Sequence, residues 1–87
     1  MKGIITVVGH DRVGIIAEVC GFLSRRNVNI LDISQTIVQG FFNMLMVVDL
    51  PGSGFEQIAR ELHALGCEMG LEIKLQREDI FQAMHRI

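Results

Sequence analysis

The sequence predicts an α+β fold with the element order β-α-β-β-α-β, a sandwich in which two helices cover one face of a four-stranded antiparallel sheet. Three observations support this prediction. The 87 residues suffice for one domain and are too few for two. Four segments have the β-branched or alternating pattern of strands, and two segments between them have apolar residues at helical spacing. Right-handed crossovers place both helices on the same face of the sheet.

The first strand and the first helix are separated by a loop with a glycine at each end. Residues 4–8 are a β-branched run typical of a strand, and residues 9–14 then interrupt the pattern. Asp11 is the predicted N-cap of the helix, which is expected to end near Asn27. The helix has one apolar stripe, formed by Ile15, Ile16, Val19, Phe22 and Leu23.

Residues 28–39 and 41–50 are predicted to form a hairpin that turns at Gly40. The second strand alternates and is expected to be half-buried. Its apolar face carries Leu31, Ile33 and Ile37, and its polar face carries Asp32, Ser34 and Thr36. The third strand places on one face Phe42, Met44, Met46, Val48 and Leu50.

The opposite face of the third strand predicts self-association. It carries Leu45 and Val47, which make its middle too apolar for a surface open to water. Both predicted helices lie on the other side of the sheet. We therefore expect a homodimer in which a second copy covers Leu45 and Val47.

The second half of the chain repeats the helix and strand pattern. Ser53 and Glu56 have the spacing of a capping box, and Gly66 is placed as the C-terminal glycine of the helix that follows. The apolar stripe of this helix is Phe55, Ile58, Ala59, Leu62 and Leu65. A fourth strand alternates through Leu71, Ile73 and Leu75, which completes a ferredoxin-like domain over residues 1–77. Residues 78–87 are predicted to form a short amphipathic helix packed on the same domain.

Composition and charge exclude several classes of function. A formal net charge of -2 provides no attraction for nucleic-acid phosphates. No stretch approaches the roughly 20 apolar residues that cross a bilayer, and the N-terminus lacks the features of a signal peptide, so we expect a cytoplasmic protein without membrane contact. Cys20 and Cys67 are interpreted as small buried thiols. The first loop lacks the MxCxxC sequence of metal carriers, and we expect neither a metal nor a cofactor.

The loop of residues 9–14 is the candidate binding site. Backbone amides at a strand-to-helix junction can hold a carboxylate or a phosphate, and His10, Asp11 and Arg12 could contact the charged ends of a ligand. An ordinary tight turn capped by Asp11 explains the same residues equally well. Spacing alone leaves both interpretations open.

The run Asp-Arg-Val-Gly-Ile-Ile-Ala-Glu-Val at residues 11–19, followed by Asn-Val-Asn-Ile at residues 27–30, resembles the ACT domain. The resemblance covers residues 1 to about 77, and it extends to the small stand-alone ACT proteins of bacteria and archaea and, more distantly, to the glycine cleavage system regulator. Val13 stands where many ACT domains have proline. The chain also has no room for the enzyme or DNA-binding domain that usually accompanies an ACT domain.

The resemblance implies a non-catalytic regulatory domain that homodimerises and binds an amino acid or a similar metabolite at the interface between two domains. A partner enzyme or regulator would sense the ligand. With His10 of the same loop, the implied ligand-binding residues are Asp11, Arg12, Val13, Gly14, Ile15 and Asn29.

Two other functions remain as alternatives. One is a constitutive protein–protein interaction module without a ligand. The other is a small acylphosphatase-like enzyme, because acylphosphatases share the split βαβ plan and bind phosphate in the loop that here holds Arg12. The loop sequence and catalytic Asn context of those enzymes are missing, and His63 is expected to be a solvated surface residue, so no catalytic residue is assigned.

Overall fold

The computed structural model describes residues 1–78 and confirms the predicted fold. Its elements are β1 (Lys2–His10), α1 (Ile15–Arg25), β2 (Asn29–Val38), β3 (Phe41–Asp49), α2 (Phe55–Met69) and β4 (Glu72–Arg77). The sheet has the strand order β2-β3-β1-β4, and every neighbouring pair is antiparallel. The helix predicted for residues 78–87 lies outside the described residues, apart from Glu78.

The strand register shows which side chains share the buried face of the sheet. Ile5 pairs with Met46 and Val7 pairs with Met44, and all four side chains are buried on the face that the helices cover. The helices contribute their apolar stripes to the same core, although Ile16, which the stripe pattern predicted to be buried, is 39% exposed. The core residues contributed by the two helices are Ile15, Val19, Phe22, Leu23, Ile58, Leu62 and Met69.

Both helices begin after a glycine, and the two predicted polar caps are wrong. Gly14 precedes α1 with φ 95° and Gly54 precedes α2 with φ 88°. Among the described residues, no side chain forms a hydrogen bond at the N-cap of either helix. Glycine adopts this left-handed conformation without the steric cost that other residues incur. Asp11 lies three residues before the cap of α1, and the Ser53–Glu56 capping box does not form because Gly54 occupies the cap position.

The end of α2 also differs from the prediction. Gly66 is buried within the helix, which continues to Met69 and is terminated by Gly70 with φ 71°. A Cβ atom on Gly66 would lie 2.8 Å from the Leu71 carbonyl oxygen and 3.0 Å from Cγ1 of Ile73. Gly66 therefore marks a close approach of α2 to the neighbouring strand, and Gly70 supplies the turn that was predicted four residues earlier.

The outer strand β2 is more exposed than its alternation predicted. It is one of the two edge strands of the sheet, and all its residues except Ile30 are exposed on both faces. Ile33 and Ile37 pair with buried residues of β3, yet they are 41% and 58% exposed because the helices do not reach this far across the sheet. A register shift between Ile30 and Asp32 leaves Leu31 without a partner in β3. We call this outer strand the β2 edge.

An ion pair joins the two helices. Arg26, the C-cap residue of α1, donates a hydrogen bond from Nε to Oε1 of Glu61 on α2 across 2.6 Å. The guanidinium carbon of Arg26 also lies 3.8 Å from the centroid of the Phe22 ring. The hydrogen bond raises the pKa of Arg26, and it is the main reason that the pKa of Glu61 lies below its ordinary value of 4.5.

The coupling between Arg26 and Glu61 is expected to stabilise the fold at neutral pH and to disappear in acid. Folding lowers the pKa of Glu61, so the contribution is complete above the ordinary value of 4.5 and is lost as pH falls through the lower folded value. The effect is small, as for other solvent-accessible pairs. Denaturant unfolding of the wild type, Arg26→Met, Glu61→Gln and the double variant, at neutral pH and at about pH 3, measures the coupling. A coupling that persists unchanged in acid would contradict this assignment.

Candidate functional site

The loop between β1 and α1 is held against the β2–β3 hairpin. The backbone N–H of Asp11 donates to the Gly40 carbonyl oxygen across 2.8 Å. The ring of His10 stacks on that of Phe41, with 4.7 Å between centroids and 27° between planes. These two contacts fix the start of the loop. We call residues 10–15 the corner.

The rest of the corner lies between α1 and the end of α2. Arg12 donates from Nη1 to the Met69 carbonyl oxygen across 3.4 Å, which ties the corner to the C-terminal residue of α2. Val13 is 97% exposed, whereas Ile15 is 2% exposed and anchors α1 in the core. The structure thus brings together six of the seven predicted ligand residues, with the charged side chains on the surface and one apolar side chain inside.

The corner exposes the amide end of α1. The first N–H groups of a helix have no partner within the helix, and they carry the positive end of the helix dipole. The cap residue Gly14 has no side chain, and no other side chain of residues 1–78 bonds to the amides at this cap. This arrangement suits a carboxylate or phosphate group, which can accept hydrogen bonds from the free amides.

Asn29, the seventh predicted residue, lies at the other end of the sheet. It pairs with Asp49 at one end of β3, whereas Val38 and His10 both pair with Phe41 at the opposite end. Val38 is nine positions after Asn29 along β2, which corresponds to about 30 Å of strand. Within one chain, therefore, Asn29 and the corner do not form a common site.

Asn29 instead borders a separate groove between the end of α1 and the start of β2. The groove has a volume of about 460 Å³ and is lined by Cys20, Ser24, Asn27, Val28, Asn29 and Ile30. Asn27 has φ 58°, a left-handed conformation that Asn tolerates better than most residues. Ser24 and Asn27 line this groove but were not predicted from the sequence. The sequence did offer one indication, because an Asn just after a helix often adopts a positive φ, as Asn27 does.

Leu45 and Val47 lie on the face of the sheet opposite the helices. They pair with Thr6 and Ile4 of β1, and both are half-buried. In residues 1–78, no helix covers this open face. A shallow depression of about 250 Å³ on it has a mixed polar and apolar lining, formed by Thr6, Val8, Ser34, Gln35, Thr36, Asn43, Met44 and Leu45. The role of Leu45 and Val47 as dimer contacts remains a prediction.

The two thiols are not buried, contrary to the prediction. Cys20 is half-buried beside the groove, and Cys67 is exposed on α2, where the helix turns its outer face to solvent. His63 is exposed, as expected for a surface residue. Residues 1–78 contain no group of three side chains placed to hold a metal ion. None of the helices in this part of the chain has the length and apolarity needed to cross a membrane.

Comparison with known proteins identifies relatives along the full length of the chain. Residues 3–76 match the family model of the ACT domain. A UPF0237 protein of Bifidobacterium longum is 56% identical over 88 residues, which cover 99% of this chain and 98% of that protein. The structure of an ACT domain protein from Streptococcus pneumoniae has a TM-score of 0.85 and 41% identity, with 98% of each chain covered. A protein assigned as a glycine cleavage system transcriptional repressor has a TM-score of 0.79 and 28% identity, over 86% of this chain and 44% of that one.

Proposed function

Because the chain belongs to the ACT domain family, we propose that it is a regulatory domain that binds an amino acid or a similar small metabolite between two copies of itself. ACT domains are regulatory domains that bind small molecules. The observation that carries the proposal is the corner, where a helix end without a side-chain cap follows directly after Arg12 and the exposed Val13. A partner enzyme or regulator would respond to the ligand-bound form, and we place this function in the cytoplasm.

The groups in the corner match the charges of an amino acid. The free amides at the start of α1 and the guanidinium of Arg12 favour the carboxylate. Asp11 and the amide oxygen of a second copy's Asn29 can accept hydrogen bonds from the ammonium group. The exposed side chain of Val13 is available for contact with the ligand's own side chain. A site of this kind requires Asn29 to come from another molecule.

A two-fold dimer along the β2 edge supplies that residue. Two β2 strands that pair antiparallel across a two-fold axis place Asn29 of each copy beside Val38 of the other, next to the other copy's corner. The β2 edge has exposed Ile33 and Ile37 and a row of backbone groups without partners in the described sheet. The open face with Leu45 and Val47 is the alternative contact, since no described helix covers it.

Ligand binding is expected to raise the melting temperature of the chain. A thermal-shift screen of the common amino acids should find a concentration-dependent increase, because a ligand present at 100 times its Kd stabilises the folded state by about 2.7 kcal/mol. Asn29→Ala should abolish the increase. Asn43→Ala, which removes the same group on the open face, is the matched control and should retain it.

Two outcomes of the screen would count against the proposal. If no amino acid changes the melting temperature, the constitutive interaction module is the better description. If a ligand acts equally on the wild type and on Asn29→Ala, the site is not shared between copies. An assay of acyl phosphate hydrolysis, with Arg12→Ala as its control, tests the enzyme alternative.

The dimer contact can be tested separately from the ligand. Light scattering at micromolar concentration should give the mass of a dimer for the wild type. Ile37→Lys should give a monomer, because it places a charge in the β2 edge, whereas Val47→Lys should leave the dimer intact. The reverse result would move the contact to the open face, and a monomeric wild type would overturn the two-copy site.

A further inference from the structure

His63 and Cys67 form a pair on the outer surface of α2. They are four residues apart, so the helix places them on the same side, and both side chains are exposed. The distance from Nε2 of His63 to Sγ of Cys67 is 3.8 Å. The pair lies on a helix whose inner face is fixed by buried Leu62 and Met69, so its backbone spacing is held by the core.

The separation of these two atoms fits a single metal ion. A tetrahedral zinc ion lies about 2.0–2.1 Å from an imidazole nitrogen and about 2.3 Å from a thiolate sulfur, which holds the two ligand atoms about 3.6 Å apart. The observed separation of 3.8 Å is about 0.2 Å longer than this value. Imidazole and thiolate are both ligands that zinc-class ions prefer.

The electrostatics of this end of α2 favour a cation. The pair lies in the last two turns of the helix, where the helix dipole is negative, and the last turn contains no basic side chain. Glu68 adds an exposed carboxylate beside Cys67.

We propose that His63 and Cys67 chelate a thiophilic divalent cation of the zinc class at the C-terminal end of α2. The Cys67 thiol gives its proton to solvent and binds as the thiolate, and neutral His63 binds through Nε2. No third protein ligand is placed near the pair among residues 1–78, so water completes the coordination and the ion remains exchangeable. This site is separate from the corner and does not depend on the amino acid ligand.

Titration of the full chain with Cd²⁺, in the presence of a phosphine reductant, tests the proposal. The sulfur-to-cadmium charge-transfer absorption should grow and saturate at one ion per chain, and Zn²⁺ should compete for the same site. Cys67→Ser should abolish the absorption. His63→Gln should weaken binding at least about tenfold, because loss of a group that only supports a metal ligand already costs about this much affinity, and here one of two ligands is lost. Cys20→Ser is the matched control and should bind as the wild type does.

Three results would overturn the proposal. Equal affinity of His63→Gln and the wild type would show that the thiol binds alone. Loss of the absorption in Cys20→Ser would place the ion elsewhere, and saturation at one ion for two chains would show bridging between molecules in place of a chelate within one helix. Circular dichroism of each variant confirms that the fold is retained.

Discussion

Leu62→Ala is expected to lower the free energy of unfolding by about 3–5 kcal/mol. Leu62 is fully buried in the core between α2 and the sheet, so its truncation removes apolar contacts and leaves a cavity. A domain of this size has only about 4–13 kcal/mol of stability, and the variant should therefore be close to unfolding at moderate temperature. Denaturant unfolding at a fixed protein concentration measures the change, because dimerisation would make stability depend on concentration.

Leu65→Ala is the matched control for this prediction. Leu65 belongs to the same predicted stripe, but it is half-buried and packs at the margin of the core. Its truncation removes less apolar surface from burial and should cost less than about half as much. Equal effects of the two substitutions would mean that α2 is rotated about its axis relative to the orientation described above.

Gly66→Ala is expected to destabilise the fold by about 1–3 kcal/mol, although alanine is the better helix former. The new methyl group would lie 2.8 Å from the Leu71 carbonyl oxygen. This oxygen belongs to the backbone between α2 and β4, so it cannot move aside as the end of a flexible side chain could. The helix would have to shift away from β4. Thermal unfolding is a sensitive measurement, since each kcal/mol moves the melting temperature of a domain this small by about 4–8 °C.

Gly21→Ala, the same substitution in the other helix, is expected to stabilise the fold and serves as the matched control. Gly21 lies inside α1, and among the described residues a Cβ atom there would meet only the end of the Arg25 side chain, at 3.3 Å. Without a backbone obstacle, the gain in helix propensity should stabilise the fold by up to about 1 kcal/mol. Destabilisation by Gly21→Ala, or tolerance of Gly66→Ala, would contradict the close approach described for α2.

The sequence was sufficient to predict every described element, because the apolar periodicities of strands and helices differ clearly. It was not sufficient to predict where the helices begin and end. Asp11 and Ser53 are good capping residues by type, but the turn into each helix is completed by a glycine with positive φ, a conformation that residue preferences alone do not reveal. Gly66 has the opposite explanation: its role depends on the distance to β4, which is a property of tertiary packing.

The candidate site was predicted in part for a similar reason. The residues of the corner are contiguous in sequence, so their proximity follows from the loop itself. Asn29 was predicted as a ligand residue only from the family resemblance. The register of β2 places it far from the corner of its own chain, so a site with both would need Asn29 of another molecule. The exposure of β2 could not be predicted from the sequence either. Alternation shows which side chains share a face of the sheet, but it does not show how far the helices extend across that face.

The two edge strands of the sheet, β2 and β4, differ in charge, and this difference bears on how many copies of the chain can associate. Along its length β2 carries a single ionisable side chain, Asp32, and its pairing is interrupted by a bulge, whereas β4 presents Glu72, Lys74 and Arg77. Charged side chains on an outer strand discourage further strands from adding there. In the proposed dimer, two molecules joined through their β2 strands would leave only the charged margins facing outward, so the association would close as a pair and would not extend into a fibril.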